Sequence, residues 1–252
     1  MVLWITILIF ALMWGSFLNV VACRLINNLS IITPRSHCYH CKKTIAWYDN
    51  IPVLSWILLR GKCRNCKDEI SFLYPLIELL TAGSFVLLYL FRPEYFFGYA
   101  IFFSALIVTV RTDLEHMLIS RLATIGMLPC AWILSYFGML PITLWESLIG
   151  TLIGYASLWI VAHLFYLITK KHGLGEGDFD LLALIGAFCG IEGVCIAVFV
   201  GSWIGTVISI GYIITSRKNL QVKIPFGLFL ALGAMCYVVL QNDIHRFFLF
   251  MF

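Results

Sequence analysis

The stretch "GLGEGDFDLLALIGAFCGIEGVCIAVFVGSWIGTVISIGYIIT", residues 173–215, decides the fold class of this chain. From Leu181 onward it is apolar, broken only by Gly190-Ile191-Glu192-Gly193. A helix that crosses a bilayer needs about 20 apolar residues. The break favours a tight turn between two helices, which predicts spans over 177–190 and 194–215. Comparable runs cover 2–22, 72–91, 96–112, 118–138, 148–168 and 226–242. Of the 252 residues, 62% are hydrophobic and only 12% are charged, against about a quarter charged in soluble domains. The expected fold is therefore an all-α polytopic membrane protein of about eight transmembrane helices.

The first run has no basic segment ahead of it, and "GSFLNVVACRL" offers no small-x-small cleavage site. It reads as a retained span rather than a secretory signal. Three parts follow: a first span (1–22), a soluble loop (23–71) and a larger membrane domain (72–252). Orientation comes from the 17 basic residues. All but Arg92 and Arg246 fall on one side of the eight-span arrangement. They lie in the loop 23–71, at Arg111 and Arg121, at Lys170 and Lys171, and at Arg217, Lys218 and Lys223. Short cytoplasmic loops carry the excess of Lys and Arg, so these loops face the cytoplasm and both termini lie outside. The net charge of +4 reflects this topology. There is no long basic patch for nucleic acid, and the surroundings are membrane lipid.

The loop 23–71 is too small for its own hydrophobic core and needs a staple. It contains "CYHCKKTIAWYDNIPVLSWILLRGKCRNC", in which Cys38, Cys41, Cys63 and Cys66 have the spacing C-x2-C-x21-C-x2-C. Paired thiolates at this spacing suit a tetrahedral structural zinc, and a reducing cytoplasm disfavours disulfides. His37 and His40 flank the first pair, but four thiols already complete a site. The other five cysteines lie in or beside apolar runs, where a thiol is a small packing residue.

The acids are few and well placed. Asp113, in "VRTDLEHMLIS", ends the third span, and Asp178, in "GLGEGD", begins the sixth. The topology puts both at the same depth on the cytoplasmic side. Two carboxylates in a poorly hydrated site share a proton. The protonated one can polarise a peptide carbonyl while the ionised one takes a proton from water. Gly175 and Gly177 let an extended substrate backbone approach Asp178 and are free to adopt positive φ. Asp180, Glu115 and Glu176 lie close enough to be rivals for the dyad, and either aspartate could be a helix cap. Asp180 is about 200° around a helix from Asp178, facing away from the partner. Glu78, inside the second span, reads as a helix-end acid, and His163 as a packed histidine. The sequence contains no phosphate-binding G-x-x-x-x-G-K-[ST], no H-E-x-x-H and no G-x-S-x-G. A proton- or cation-coupled transporter using the same aspartates is the competing class, and would place them near the midplane on broken helices.

Taken in order, "GSFLNVVACRL", the four-Cys loop, "YPLIELLTAG", "TDLEHMLI", "GLGEGD…LLALIGAFCG" and "IPFGLFLALGA" resemble the type IV prepilin peptidases, bifunctional bacterial inner-membrane enzymes of the G-x-G-D aspartyl protease class. The resemblance implies a leader peptidase that cuts prepilins or pseudopilins after a Gly on the cytoplasmic side. It implies methylation of the new N-terminal residue, commonly Phe, with S-adenosylmethionine as donor. It assigns proteolysis to Asp113 and Asp178 and links the cysteine loop to methyl transfer. The methyl-donor site cannot be placed on particular residues. The chain departs from the family pattern at four places. Ile-Pro-Asp becomes Ile119-Ser120-Arg121, and the Lys two residues after the second aspartate becomes Asp180. Tyr39 replaces a Pro in the first cysteine pair, and Leu228 replaces the Pro after "IPFG".

Overall fold

The computed structural model describes residues 2–171, 173, 175–216 and 225–251. Arg217, Lys218 and Lys223 of the fourth basic loop lie outside these residues. The described chain is helical, with no strand and two isolated bridges, His37 with Thr44 and Lys62 with Glu69. It divides into two compact units, residues 1–90 and 91–252. Six helices among the described residues are long and apolar enough to cross a membrane.

The first unit holds α1 (Val2–Ile26), the short α2 (Leu54–Leu58) and α3 (Leu73–Phe91). Helices α1 and α3 touch backbone to backbone at Gly15, where a Cβ would lie 2.9 Å from Glu78 Cα. Nearby, Asn19 Nδ2 donates to the Tyr74 carbonyl (3.1 Å). Glu78 is not the helix-end acid expected from its position. It is 6% exposed and accepts the Val53 N–H at 2.8 Å and a hydrogen bond from Ser16. Val53 adopts φ 62°, a left-handed conformation that costs a β-branched residue about 1–3 kcal/mol. The hydrogen bond to a buried carboxylate holds it there.

The second unit contains α4 (Phe96–His116), α5 (Leu128–Tyr136), α6 (Leu144–Thr169), α7 (Glu176–Ser216) and α8 (Phe226–Met251). Helix α6 starts at a reciprocal cap. Thr143 Oγ1 accepts the Glu146 N–H (3.3 Å) and Glu146 Oε2 accepts the Thr143 N–H (2.7 Å). The 41 residues of α7 would measure about 60 Å if straight, twice the thickness of a bilayer core. The helix is not straight. Gly190 sits at φ 67°, ψ −167°, open to glycine and closed to other residues, and there the chain doubles back.

Contacts on either side of Gly190 fix the reversal. Before it, Ser147 Oγ of α6 donates to the Ala187 carbonyl (2.6 Å), and a Cβ at Gly150 or Gly154 would strike the carbonyls of Gly186 and Leu182. The first arm thus runs antiparallel to α6. After it, Gly193 lies against Tyr237, Gly233 against Ala197, and Gly201 and Gly205 against Phe229. The second arm runs antiparallel to α8. The expected pair of spans, 177–190 and 194–215, is realised as one helix with a sharp turn.

The segment expected to form the fourth span, 118–138, crosses the unit differently. Ile119 packs at the end where α7 and α8 begin, and Met139 reaches the other end, where a Cβ on Gly98 would lie 2.5 Å from its carbonyl oxygen. Only Leu128–Tyr136 is α-helical, preceded by a 3-10 turn over Ile125–Met127. Nine helical residues span about 14 Å, so the rest of this crossing is turn. At the Met139 end, buried Arg92 donates to the Val238 carbonyl (2.9 Å), Gln241 (2.9 Å) and Asn242 (2.6 Å), tying the start of α4 to α8.

Candidate functional site

Asp113 and Asp178 meet at the end of the second unit where α4 finishes and α7 and α8 start. Asp113 lies in the last turn of α4. Its own carbonyl accepts the N–H of Met117 (2.9 Å), whose φ of 53° ends the helix. Its Oδ2 accepts the Leu228 N–H at 3.1 Å, and Gly227 N–H also donates to it. Asp178 lies in the first turn of α7, where its N–H donates to the Gly175 carbonyl (3.2 Å) and its carboxylate accepts the Gly175 N–H. Both side chains are buried, Asp113 at 5% and Asp178 at 9% exposure, and they are near enough to feel each other's charge. Neither is an N-cap.

Ile119 is the residue around which this corner closes. A Cβ on Gly177 would lie 2.7 Å from Ile119 Cβ, and one on Gly227 would lie 2.9 Å from both Ile119 Cδ1 and Asp113 Oδ2. The glycine of "IPFG" thus lets α8 approach Asp113 closely enough to donate two backbone N–H groups. Gly177 serves the same packing, since Ile119 fills the space its missing side chain leaves. At Gly175 a Cβ would make only ordinary contact, with Asp178 Oδ2 at 3.6 Å, among the described residues. Gly177 does not take a positive φ, because it lies inside α7, which begins at Glu176.

The rival acids are occupied. Glu115 pairs with buried Arg111 at 2.5 Å and with His116 at 3.5 Å. Arg121 takes both Glu176 (2.9 Å) and Asp180 (3.2 Å). Among the described residues, Asp113 and Asp178 are the acids of this corner with no cationic partner. Arg111, expected to flank a loop, is instead inside α4 and 1% exposed. His163 stacks on Trp159, with centroids 5.2 Å apart and planes 8° from parallel.

The four-cysteine loop belongs to the first unit and is built from two equivalent knuckles. In the first, Cys38 N–H donates to the Lys43 carbonyl (3.0 Å) and Lys42 N–H to the Cys38 carbonyl (2.9 Å). In the second, Cys63 N–H donates to the Asp68 carbonyl (2.8 Å) and Lys67 N–H to the Cys63 carbonyl (3.0 Å). Lys42 and Lys67, each following the second cysteine, take the same left-handed conformation, φ 57° and 61°. All four sulfurs lie within 4.8 Å of one another, and Cys38 and Cys66 are 3.7 Å apart. Four sulfurs at about 2.3 Å from a tetrahedral zinc are about 3.8 Å apart, so shifts of about 1 Å or less would bring the donor set onto such an ion. The histidines are not in the cluster, and His37 Nδ1 lies 3.0 Å from the Arg35 carbonyl. The N–H groups of Cys66 and Asn65 point at the Cys63 sulfur and lower its thiol to about 6. Asp68 N–H favours the Cys66 thiolate, but burial and the neighbouring thiols outweigh it and push Cys66 up to about 12. Arg64, bidentate on Asp49 (2.6–3.1 Å), ties the second knuckle back to Trp47–Asn50.

These features define a multi-pass membrane protein with a buried pair of aspartates that has no cationic partner among the described residues, and with a cluster of four thiols able to hold a metal. Residues 9–91 match the bacterial peptidase A24 N-terminal domain and residues 100–210 match the type IV leader peptidase family. The chain is 34% identical over 271 residues to a prepilin leader peptidase/N-methyltransferase of Aeromonas hydrophila, covering 96% of this chain and 92% of that protein. It is 34% identical over 247 residues to a type 4 prepilin-like proteins leader peptide-processing enzyme of Escherichia coli O78:H11, covering 90% of each. A prepilin leader peptidase/N-methyltransferase of Bacillus subtilis is 32% identical over 248 residues, with 96% of each chain covered. The chain belongs to the type IV leader peptidase family. No solved structure matches it.

Proposed function

We propose that this chain removes the leader peptide from type IV prepilins or pseudopilins, cutting after a Gly, and methylates the amino group so released. The observation that carries the proteolytic half is the isolation of Asp113 and Asp178. They are buried together, while among the described residues each neighbouring acid, Glu115, Glu176 and Asp180, has an arginine within ion-pair distance. Such a pair shares a proton. The ionised carboxylate takes a proton from a water as its oxygen attacks the scissile carbonyl, and the protonated one donates to the carbonyl oxygen. Proton return to the nitrogen then releases the amine. The backbone N–H groups of Leu228 and Gly227 orient Asp113 for this, and Gly175 admits the substrate strand.

The residues 72–252 carry this peptidase, and 23–71 serve the methyl-transfer half. Zinc held by Cys38, Cys41, Cys63 and Cys66 would lock the two knuckles together. S-adenosylmethionine would supply the methyl group, with no residue assigned to it. The one-sided Lys and Arg favour an orientation with the dyad toward the cytoplasm, and the family resemblance favours the bacterial inner membrane. A transporter is disfavoured, since both acids sit in helix-end turns at one end of the unit and not at a midplane break. The test is to incubate purified protein with S-adenosylmethionine and a synthetic peptide spanning the leader junction, read by mass spectrometry. Cleavage after Gly with one methyl added to the new N-terminus is expected. An intact peptide would overturn the proteolytic half, and an unmethylated product the other.

A further inference from the structure

Two of the departures from the family pattern, Arg121 and Asp180, meet in space. Arg121 Nε donates to Asp180 Oδ2 at 3.2 Å and its Nη2 donates to Glu176 Oε2 at 2.9 Å. The Asp180 side chain is 6% exposed and the arginine 70%. The guanidinium therefore closes over a buried carboxylate from the solvent side. Glu176 and Asp180 are four residues apart, on one face of the first turn of α7. Asp178 lies between them in sequence and points the other way. Ile119, two residues before Arg121, packs on Gly177 from the same segment. Residues 119–121 thus grip the turn that bears Asp178 at two points, one apolar and one ionic. The same segment leaves α4 directly after Met117, whose N–H is bonded to Asp113.

We infer that Arg121, with Asp180 and Glu176, is a positioning clamp that sets Asp178 against Asp113. Neither residue touches the dyad, so each acts through the helix turn and not on the substrate. Asp180 needs its partner, because a buried carboxylate stripped of its cation must be hydrated or protonated, and either moves the turn. The inference rests on the dyad reading above. The competing role for Asp180, recognition of a basic leader, would require its carboxylate to be accessible, and it is 6% exposed beneath Arg121.

The experiment uses the full chain in detergent with the leader-junction peptide, and compares Arg121→Asp, Asp180→Lys, the double variant and Asp178→Asn. Small displacements of a catalytic group cost up to about a hundredfold in rate, so each single charge change should lower kcat by about 10- to 100-fold. KM should stay within about twofold, since the substrate is not contacted. The double variant again sets opposite charges at positions 121 and 180, with the new lysine also beside Glu176. It restores the pair and should return kcat to within about threefold of the starting protein. A double variant no better than the worse single, with its thermal melt unchanged, overturns the clamp. So does an effect confined to KM, which would make the acids a leader-binding patch. If the singles do not fold, the kcat of the double alone decides in the same way. Cleavage by Asp178→Asn would instead refute the dyad, and so the two failures are distinguishable.

Discussion

Replacing Asp113 or Asp178 by Asn changes the chemistry of the dyad while leaving its shape. At Asp113 the asparagine carbonyl oxygen can still accept the Leu228 N–H, now 3.1 Å from Oδ2, so the anchoring to α8 survives. Exchanging a charge-assisted hydrogen bond for a neutral one costs about 1 kcal/mol, too little to unfold the unit. What is lost is the proton shuttle. A positioned acid or base contributes about 10²–10⁴-fold, and here the two act on one proton, so removing either stops both steps. Each single variant should lose at least about 10³-fold in leader cleavage, equivalent to about 4 kcal/mol of barrier. The double variant should be no worse than the worse single, as expected of groups that work as a unit. The assay is cleavage of the leader-junction peptide under single-turnover conditions, with thermal melts in detergent as the control for folding. Multiplicative losses in the double variant would show that the two carboxylates act independently and refute the shared-proton mechanism. Substantial cleavage by Asp178→Asn together with inactivity of Asp180→Asn would show that the wrong acid is assigned.

Four other outcomes are expected. A Cys38→Ser, Cys66→Ser variant should lose stoichiometric zinc by elemental analysis and lose methylation while sparing proteolysis; retained zinc would exclude the four-thiol site. In metal-stripped protein, Cys63 should be alkylated near neutral pH well before Cys66. Its thiol, lowered to about 6, is largely thiolate there, whereas Cys66 near 12 is not; zinc should protect all four, as mapped by peptide mass spectrometry. Gly186→Ala should destabilise the protein by about 1–3 kcal/mol, because its Cβ would land on the Gly150 carbonyl, whereas Gly83→Ala meets nothing within 4 Å and should be neutral or slightly stabilising in chemical denaturation. Reporter fusions after Gly61 and after Pro93 should report opposite compartments, and the same compartment for both would refute the proposed orientation.

What the sequence determined by itself was the part that composition and spacing encode. Runs of apolar residues dictate helices, because the bilayer leaves backbone groups no other partner. Two C-x2-C pairs suggest knuckles, because one ion can hold both thiols of a pair when the intervening residues turn. Asp113 and Asp178 were readable because each sits at the rim of such a run, and the break at Gly190 because glycine there has no helical reason. Tertiary structure decided what lies across space. Nothing local marks Ile119 as the residue that fills Gly177, or Gly227 as the reason α8 can reach Asp113. The turns of the fourth crossing could not be told from a plain span, since turn and helix are equally apolar there. Glu78 looked like a helix-end acid until Val53 was seen to need it, and Arg121 and Asp180 looked like two unrelated departures. They are 59 residues apart in the chain, and only the packing of the segment after α4 onto the first turn of α7 brings their opposite charges together.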